Sequence, residues 1–192
     1  MGQLLREGEC ASLDYKRDQY PFADATDEQK GELLKDILAF ANGWRHADAY
    51  ILVGVDEVAV GRSAVYGVAN HIAENHLQQF VNSKTSRPVT FSYRGYPFEG
   101  KQVGVFTIPQ QDRPIFLRKD FGKLQHNVVY YRQGTTMAIA SPDDVARMGT
   151  PTEVKKLTEG GRDGPKESVR VRLVWCGEQG LIAEVFSRVV AD

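Results

Sequence analysis

Residues 7–18, EGECASLDYKRD, set acids and a base at spacings that could do chemistry. In an extended strand successive side chains point to opposite faces. Ser12, Asp14 and Lys16 then share one face, and Leu13 and Tyr15 the other. A second acid, Glu9, stands five residues before Asp14, and a third, Asp56, directly follows the apolar run YILVGV. A carboxylate at the end of a central strand lies where open α/β sheets place their ligands. If the strand of Asp14 pairs beside that run, the three carboxylates converge. Grouped carboxylates repel one another unless a cation joins them, and hard oxygen ligands suit Mg²⁺ or Mn²⁺. Such an ion activates water and offsets charge growing on a phosphoryl group. Lys16, on the face of Asp14, would then hold the phosphate. The plain alternative is a solvated strand face with a weak surface ion pair.

A second cluster is YYRQGTT, residues 130–136. Arg132 at a strand end, with Gly134 and Thr135 after it, suits a phosphate cradle. Equally, Gly134 serves a tight turn and Arg132 faces solvent. Tyr130 and Tyr131 offer stacking faces for bases or packing surface for a sheet. Charge gathers just upstream. Residues 113–132 hold Arg113, Arg118, Lys119, Lys123 and Arg132 against Asp120 alone, whereas residues 1–60 hold 12 acids and 6 bases. A basic segment in a chain of net charge −1 is a candidate strip for phosphates. The near-neutral total argues against a strong non-specific polyanion binder. His71 and His76, five apart, do not share a helix face, and His46 and His126 are isolated. The motif G-x-x-x-x-G-K-[ST] does not occur, which argues against a P-loop ATPase.

The elements that must position these residues follow from pattern. The chain of 192 residues, 42% hydrophobic and 26% charged, suggests one globular domain or one domain with an appendage. A strand is expected over 11–17. Thr26 followed by Gln29 is a capping box, and Leu33, Leu34, Ile37, Leu38 and Ala41 then recur at helical spacing until Asn42-Gly43. Residues 49–55 read as a strand buried on both faces, and 70–82 as a second helix with Ala73, Leu77, Phe80 and Val81 on one stripe. VTFSYRG and KQVGVFTIP read as strands around a turn with Pro97 and Gly100. RPIFLRKDFGKLQHN is mostly loop, VVYYRQG a strand, and Ser141-Pro142 with Asp144 opens a short helix. Strands and helices interleave early and strands dominate later. The expected class is α+β, a mixed β-sheet flanked by helices. It occupies residues 1–149, followed by a linker rich in Gly, Pro and charge over 150–167. Residues 168–192 are too few for a core of their own. They pack on the domain, swap into a partner to give a homodimer, or begin a larger domain.

No apolar run approaches the roughly 20 residues that span a bilayer, so no membrane partner is expected. MGQLLREGEC lacks the apolar core of a secretory signal, and Arg6 departs from the myristoylation pattern. Cys10 and Cys176 form neither a disulfide framework nor a cysteine-rich zinc site. These features point to a cytoplasmic protein with free thiols.

Four stretches in this order, ECASLDYK, ILAFAN running into YILVGVDE, RPIFLRK, and VYYRQGTTMAIASPDDVARM, resemble the Schlafen AlbA-like domain family, in its bacterial type. The likeness covers residues 7–149. It implies nucleic-acid work. Vertebrate members include RNA endonucleases that cut tRNA and rRNA with a three-acid, metal-dependent centre. The resemblance carries Glu9, Asp14 and Asp56 onto the metal-binding acids, with Lys16 beside them in the catalytic set. Asp14 stands where the family usually has the Glu of E-F-K, which shortens the reach to a metal. Many bacterial members are described as DNA-binding or transcription-regulator modules, and some carry an ATP-binding label. The family's usual Gly-Gly pair before the central strand is replaced here by GWRHADA, so that Trp44, Arg45 and His46 contact a base or cap the sheet.

Two functions from different classes follow. The first is a metal-dependent endoribonuclease acting on structured RNA such as tRNA, with Mg²⁺ or Mn²⁺ as cofactor. Arg113, Arg118, Lys119, Lys123, Arg132, Gly134 and Thr135 would track the nucleic acid, RNA being favoured and DNA possible. This function expects Asp14→Ala to abolish cleavage and leave the fold intact. The second is a non-catalytic DNA- or RNA-binding module of a transcriptional regulator or defence protein.

Overall fold

The structure, a computed structural model, describes residues 1–58 and 61–149, together with the backbone of two strands further on. The expected linker over 150–167 lies outside the described residues. A four-stranded sheet forms the centre. Its strands are β1 (Leu13–Lys16), β2 (Ala49–Val53), β5 (Ser92–Phe98) and β6 (Lys101–Ile108), in the order β1-β2-β6-β5. β1 and β2 run parallel, with Asp14 opposite Ile51, while the other pairs are antiparallel. The sheet is therefore mixed, as expected. Two small hairpins stand beside it: β3 (Val55–Asp56) with β4 (Ala64–Val65), and β7 (Tyr130–Gln133) with β8 (Thr136–Ile139).

The helices form as their ends dictate. Thr26 Oγ1 accepts from Gln29 N at 3.3 Å and Gln29 Oε1 accepts from Thr26 N at 3.0 Å. This capping box opens α1 (Asp27–Asn42). The short α3 (Pro142–Met148) opens with another, between Ser141 and Asp144. α2 spans Glu74–Lys84, starting later than the apolar stripe suggested because Ala73 is its cap and Asn70 to Ile72 are not helical.

Period-two alternation divides the core. Ala49, Ile51 and Val53 of β2 join Leu34, Ile37 and Phe40 of α1, Leu77 of α2 and Phe106 of β6. Leu52, on the opposite face, joins Leu5, Leu13, Tyr15 and Val103. The expected continuous strand over 49–55 is broken by Gly54. Its φ is +90°, and a Cβ there would lie 2.7 Å from the carbonyl carbon of Gly67. Pro97 lies within β5 opposite Gln102, so the turn falls on Glu99 and Gly100, both at positive φ. Residues 136–139, which the pattern does not mark, pair with β7. Further along the chain, β9 (Val169–Trp175) and β10 (Leu181–Ser187) pair antiparallel, so residues 181–187 of the second apolar stretch are strand rather than helix.

Asn42 holds the long loop that follows β6. Its Nδ2 donates to the carbonyls of Ile115 at 2.7 Å and Tyr130 at 2.9 Å, and its Oδ1 accepts from Ile115 N at 2.8 Å. The side chain is fully buried. The Asn that ends α1 therefore ties the basic segment to β7.

Candidate nucleic-acid site

β1 is an edge strand of the sheet. Leu13 and Tyr15 face the smaller core cluster, which turns Asp14 and Lys16 toward α1. Asp14 is only 3% exposed. Its Oδ2 lies 2.6 Å from Lys16 Nζ and its Oδ1 lies 3.0 Å from Arg132 Nη2. Lys16 Nζ continues to Asp36 Oδ2 of α1 at 3.3 Å, and that oxygen accepts from the Tyr20 hydroxyl at 2.7 Å. At the other end Arg132 Nη2 reaches Glu9 Oε2 at 3.9 Å, and Arg132 Nε donates to the Cys10 carbonyl at 2.9 Å. The guanidinium also lies over the Phe40 ring, 4.7 Å from its centroid. One chain of charges, Glu9, Arg132, Asp14, Lys16, Asp36, thus runs between the sheet edge and α1. Asp36 and Tyr20 belong to it but carry no signal in spacing, because only the packing of α1 on β1 brings them in.

Burial sets the protonation of this chain. It pushes the Asp36 carboxyl up, against the pull of Lys16 and the Tyr20 hydrogen bond. It pushes Glu9 up as well, against a backbone hydrogen bond from Tyr15 N at 3.0 Å. Burial pulls Lys16 down, but Asp36 and Asp14 outweigh it and hold the ammonium above its ordinary value.

Asp56 is placed elsewhere. The break at Gly54 carries it into β3, where its Oδ2 lies 3.9 Å from Arg17 Nη1. The acid against Glu9 is instead its neighbour Glu57, whose Oε1 accepts from Glu9 N at 2.9 Å. Among the described residues no three His, Cys, Asp or Glu side chains group so as to hold a metal ion. Asp14 already has a guanidinium on one oxygen and an ammonium on the other. In this arrangement Arg132 contacts both Glu9 and Asp14 and Lys16 contacts Asp14, so Mg²⁺ or Mn²⁺ would have to displace these cations to bind the two acids.

The basic residues divide by the same test. Arg132 is buried, and Arg113 Nη1 donates to the Gly43 carbonyl at 2.7 Å while its guanidinium stacks on Trp44. Arg118, Lys119 and Lys123 are exposed. A bridge between Thr85 and Leu117, with Arg118 N donating to the Lys84 carbonyl at 3.0 Å, lays their loop along the end of α2. That pairing adds Lys84 and Arg87, which segment-by-segment charge counting misses. Nearby acids have partners: Asp120 accepts from His126 N at 2.7 Å, and Glu28 lies 3.7 Å from Lys123 Nζ. Gly134 and Thr135 form the exposed turn of the β7–β8 hairpin, with Gly134 at φ +61°, as the turn reading holds, but Arg132 is buried on Asp14 rather than facing solvent as that reading also held. Tyr130 and Tyr131 are buried and pack in the core. Arg45 caps the end of α1, donating to the carbonyls of Phe40 at 3.1 Å and Pro109 at 2.8 Å, whereas Trp44 faces outward.

A sequence profile of the family described as Schlafen, AlbA_2 matches residues 9–141. The chain belongs to this family. Membership points to a nucleic-acid-related function. Among solved structures, the chain is similar to the DIP2311 protein of Corynebacterium diphtheriae, at 17% identity and a TM-score of 0.46 over 68% of this chain. That match spans 22% of the other protein's length. It is also similar to the N-terminal domain of a RecG-related protein from Nitrosomonas europaea, at 18% identity and a TM-score of 0.38 over 56% of this chain and 69% of that one. No curated protein matches it.

This Schlafen AlbA_2 domain therefore has two charged regions of different character. The acid–base chain at β1 is inward and internally neutralised. Around the end of α2, Arg87, Arg118, Lys119 and Lys123 are exposed, while Lys84 is half-buried with its ammonium over the Phe121 ring. No helix among the described residues is long and apolar enough to cross a membrane.

Proposed function

We propose that this domain binds nucleic acid by its phosphate backbone, on the basic patch of Lys84, Arg87, Arg118, Lys119 and Lys123. The observation that carries the reading is the Thr85–Leu117 bridge, which joins two basic segments distant in sequence into one exposed surface. Lysine and arginine contacts to phosphates supply affinity that is independent of sequence and falls with salt. The domain is read as a binding module, for RNA or DNA, rather than as an enzyme.

The endoribonuclease reading is favoured by one specific feature. Glu9, Asp14 and Lys16 do gather at one sheet edge, as such a centre needs. Against it stands the closure of that cluster by Arg132 and Lys16. One experiment separates the two. Wild type, Asp56→Asn and an Arg118→Glu/Lys119→Glu variant are incubated with tRNA, single-stranded DNA and duplex DNA in Mg²⁺, Mn²⁺ or EDTA. Binding without cleavage, lost in the double variant, is expected. Metal-dependent cleavage that disappears in Asp56→Asn would establish the endonuclease instead. Absence of any retention would overturn both.

A further inference from the structure

We infer that the cleft beside Trp44 is a subsite for an unpaired nucleobase, a proposal that rests on the nucleic-acid reading above. Trp44 follows the last turn of α1 and is 40% exposed, among the few large hydrophobic side chains left in solvent. Its ring borders a cleft of about 430 Å³, within the range of small-ligand sites of roughly 300–1,000 Å³. Tyr131, Arg132 and Gly134 line it from the β7–β8 hairpin, and Arg147 lines it from α3. Two guanidiniums stand at the indole. Arg113 Cζ lies 3.9 Å from the ring centroid and Arg147 Cζ lies 5.6 Å away.

The chemistry of this cleft matches one kind of occupant. A base is a flat π surface, and it arrives joined to a phosphate. The indole, with Arg113 held close over it, supplies a stacking partner that accepts any base once the more distant Arg147 swings aside. Arg147, with a largely exposed side chain, supplies a cation at the mouth, and Arg113 keeps the ring in place from Gly43. Asp144, the carboxylate that lines the cleft, is engaged by Ser141 and Arg147. Bases in a duplex are already paired and stacked, so the subsite selects single strands, loops or flipped nucleotides. The basic patch has no such preference. The two sites therefore make separable contributions.

The test uses the full chain, whose tryptophans are Trp44 and Trp175. Trp175→Phe leaves Trp44 as the emitter. That protein is titrated with 12-mers of oligo-U and oligo-dT and with a 12-base-pair duplex, while Trp44→Leu and Trp44→Phe are compared for affinity and melting temperature. The expected result is quenching of Trp44 by both single strands and not by the duplex. Trp44→Leu, which keeps an apolar side chain without a π face, should bind single strands roughly 5- to 100-fold more weakly. Its duplex affinity should be unchanged, and Trp44→Phe should keep most of the single-strand affinity. Single-strand binding with unchanged Trp44 emission and equal affinity in Trp44→Leu would overturn the subsite and leave the binding module standing. Failure of every oligonucleotide to bind would overturn both.

Discussion

Asp14 holds two cations in a nearly closed space, and this governs what its removal does. A buried ion pair is costly to assemble, yet losing one partner leaves the other charge buried alone, at about 3–5 kcal/mol. Asp14→Ala is therefore expected to destabilise the domain in chemical denaturation, by less than that amount because Arg132 keeps Glu9 and Lys16 keeps Asp36. This departs from the expectation that Asp14→Ala spares the fold, and it makes Asp14 a poor probe of catalysis. Arg132→Met combined with Asp14→Leu should recover part of the loss, because Lys16 keeps Asp36 while Glu9 loses only a contact of 3.9 Å at a partly exposed carboxylate. The neighbouring hydroxyls predict the response to alkali. Burial holds the Tyr15 hydroxyl up at about 12 and the Tyr20 hydroxyl well above its ordinary value, while Lys16 is also raised. Between about pH 10 and pH 12 the folded state keeps protons that the unfolded chain releases. The stability these groups contribute is present below that window and is lost as pH rises through it. Melting temperature followed from about pH 8 to about pH 11 should fall steeply at the top, and Tyr15→Phe should flatten that fall.

The elements place these residues, and Gly54 shows how little freedom that placement leaves. At φ +90°, with the Gly67 backbone 2.7 Å from any Cβ, alanine meets both strain and a clash. Gly54→Ala should cost about 2 kcal/mol or more, read as a lowered melting temperature. Features of this scale were legible in the sequence when they were local. The Thr26–Gln29 and Ser141–Asp144 caps lie within one turn, and the shared face of Asp14 and Lys16 needs only strand alternation. Features set by distant pairing were not legible. Asp36 meets Lys16 only because α1 packs over β1. Arg132, basic and two residues before a glycine, looked like a phosphate ligand, yet the β7–β8 hairpin directs it inward onto Asp14. Asp56 followed a central strand as expected, but the turn at Gly54 leads it to Arg17.

At the scale of the molecule, charge is sorted rather than abundant. In the acidic N-terminal third Glu9, Asp14, Glu28, Glu32, Asp36 and Asp56 each lie in an ion pair, while Lys84, Arg87, Arg118, Lys119 and Lys123 stand on the end of α2 and the loop beside it. A net charge of −1 gives little general attraction to polyanions, so the proposed binding rests on that patch. The most direct measurement is the salt dependence of affinity for a single-stranded RNA, by fluorescence anisotropy, in wild type and in Arg118→Ala/Lys119→Ala. Affinity should fall as salt rises, and the slope of log affinity against log salt should shrink by about 0.7 for each phosphate contact removed. Affinity that ignores salt, or a double variant with the wild-type slope, would contradict the patch as the nucleic-acid surface.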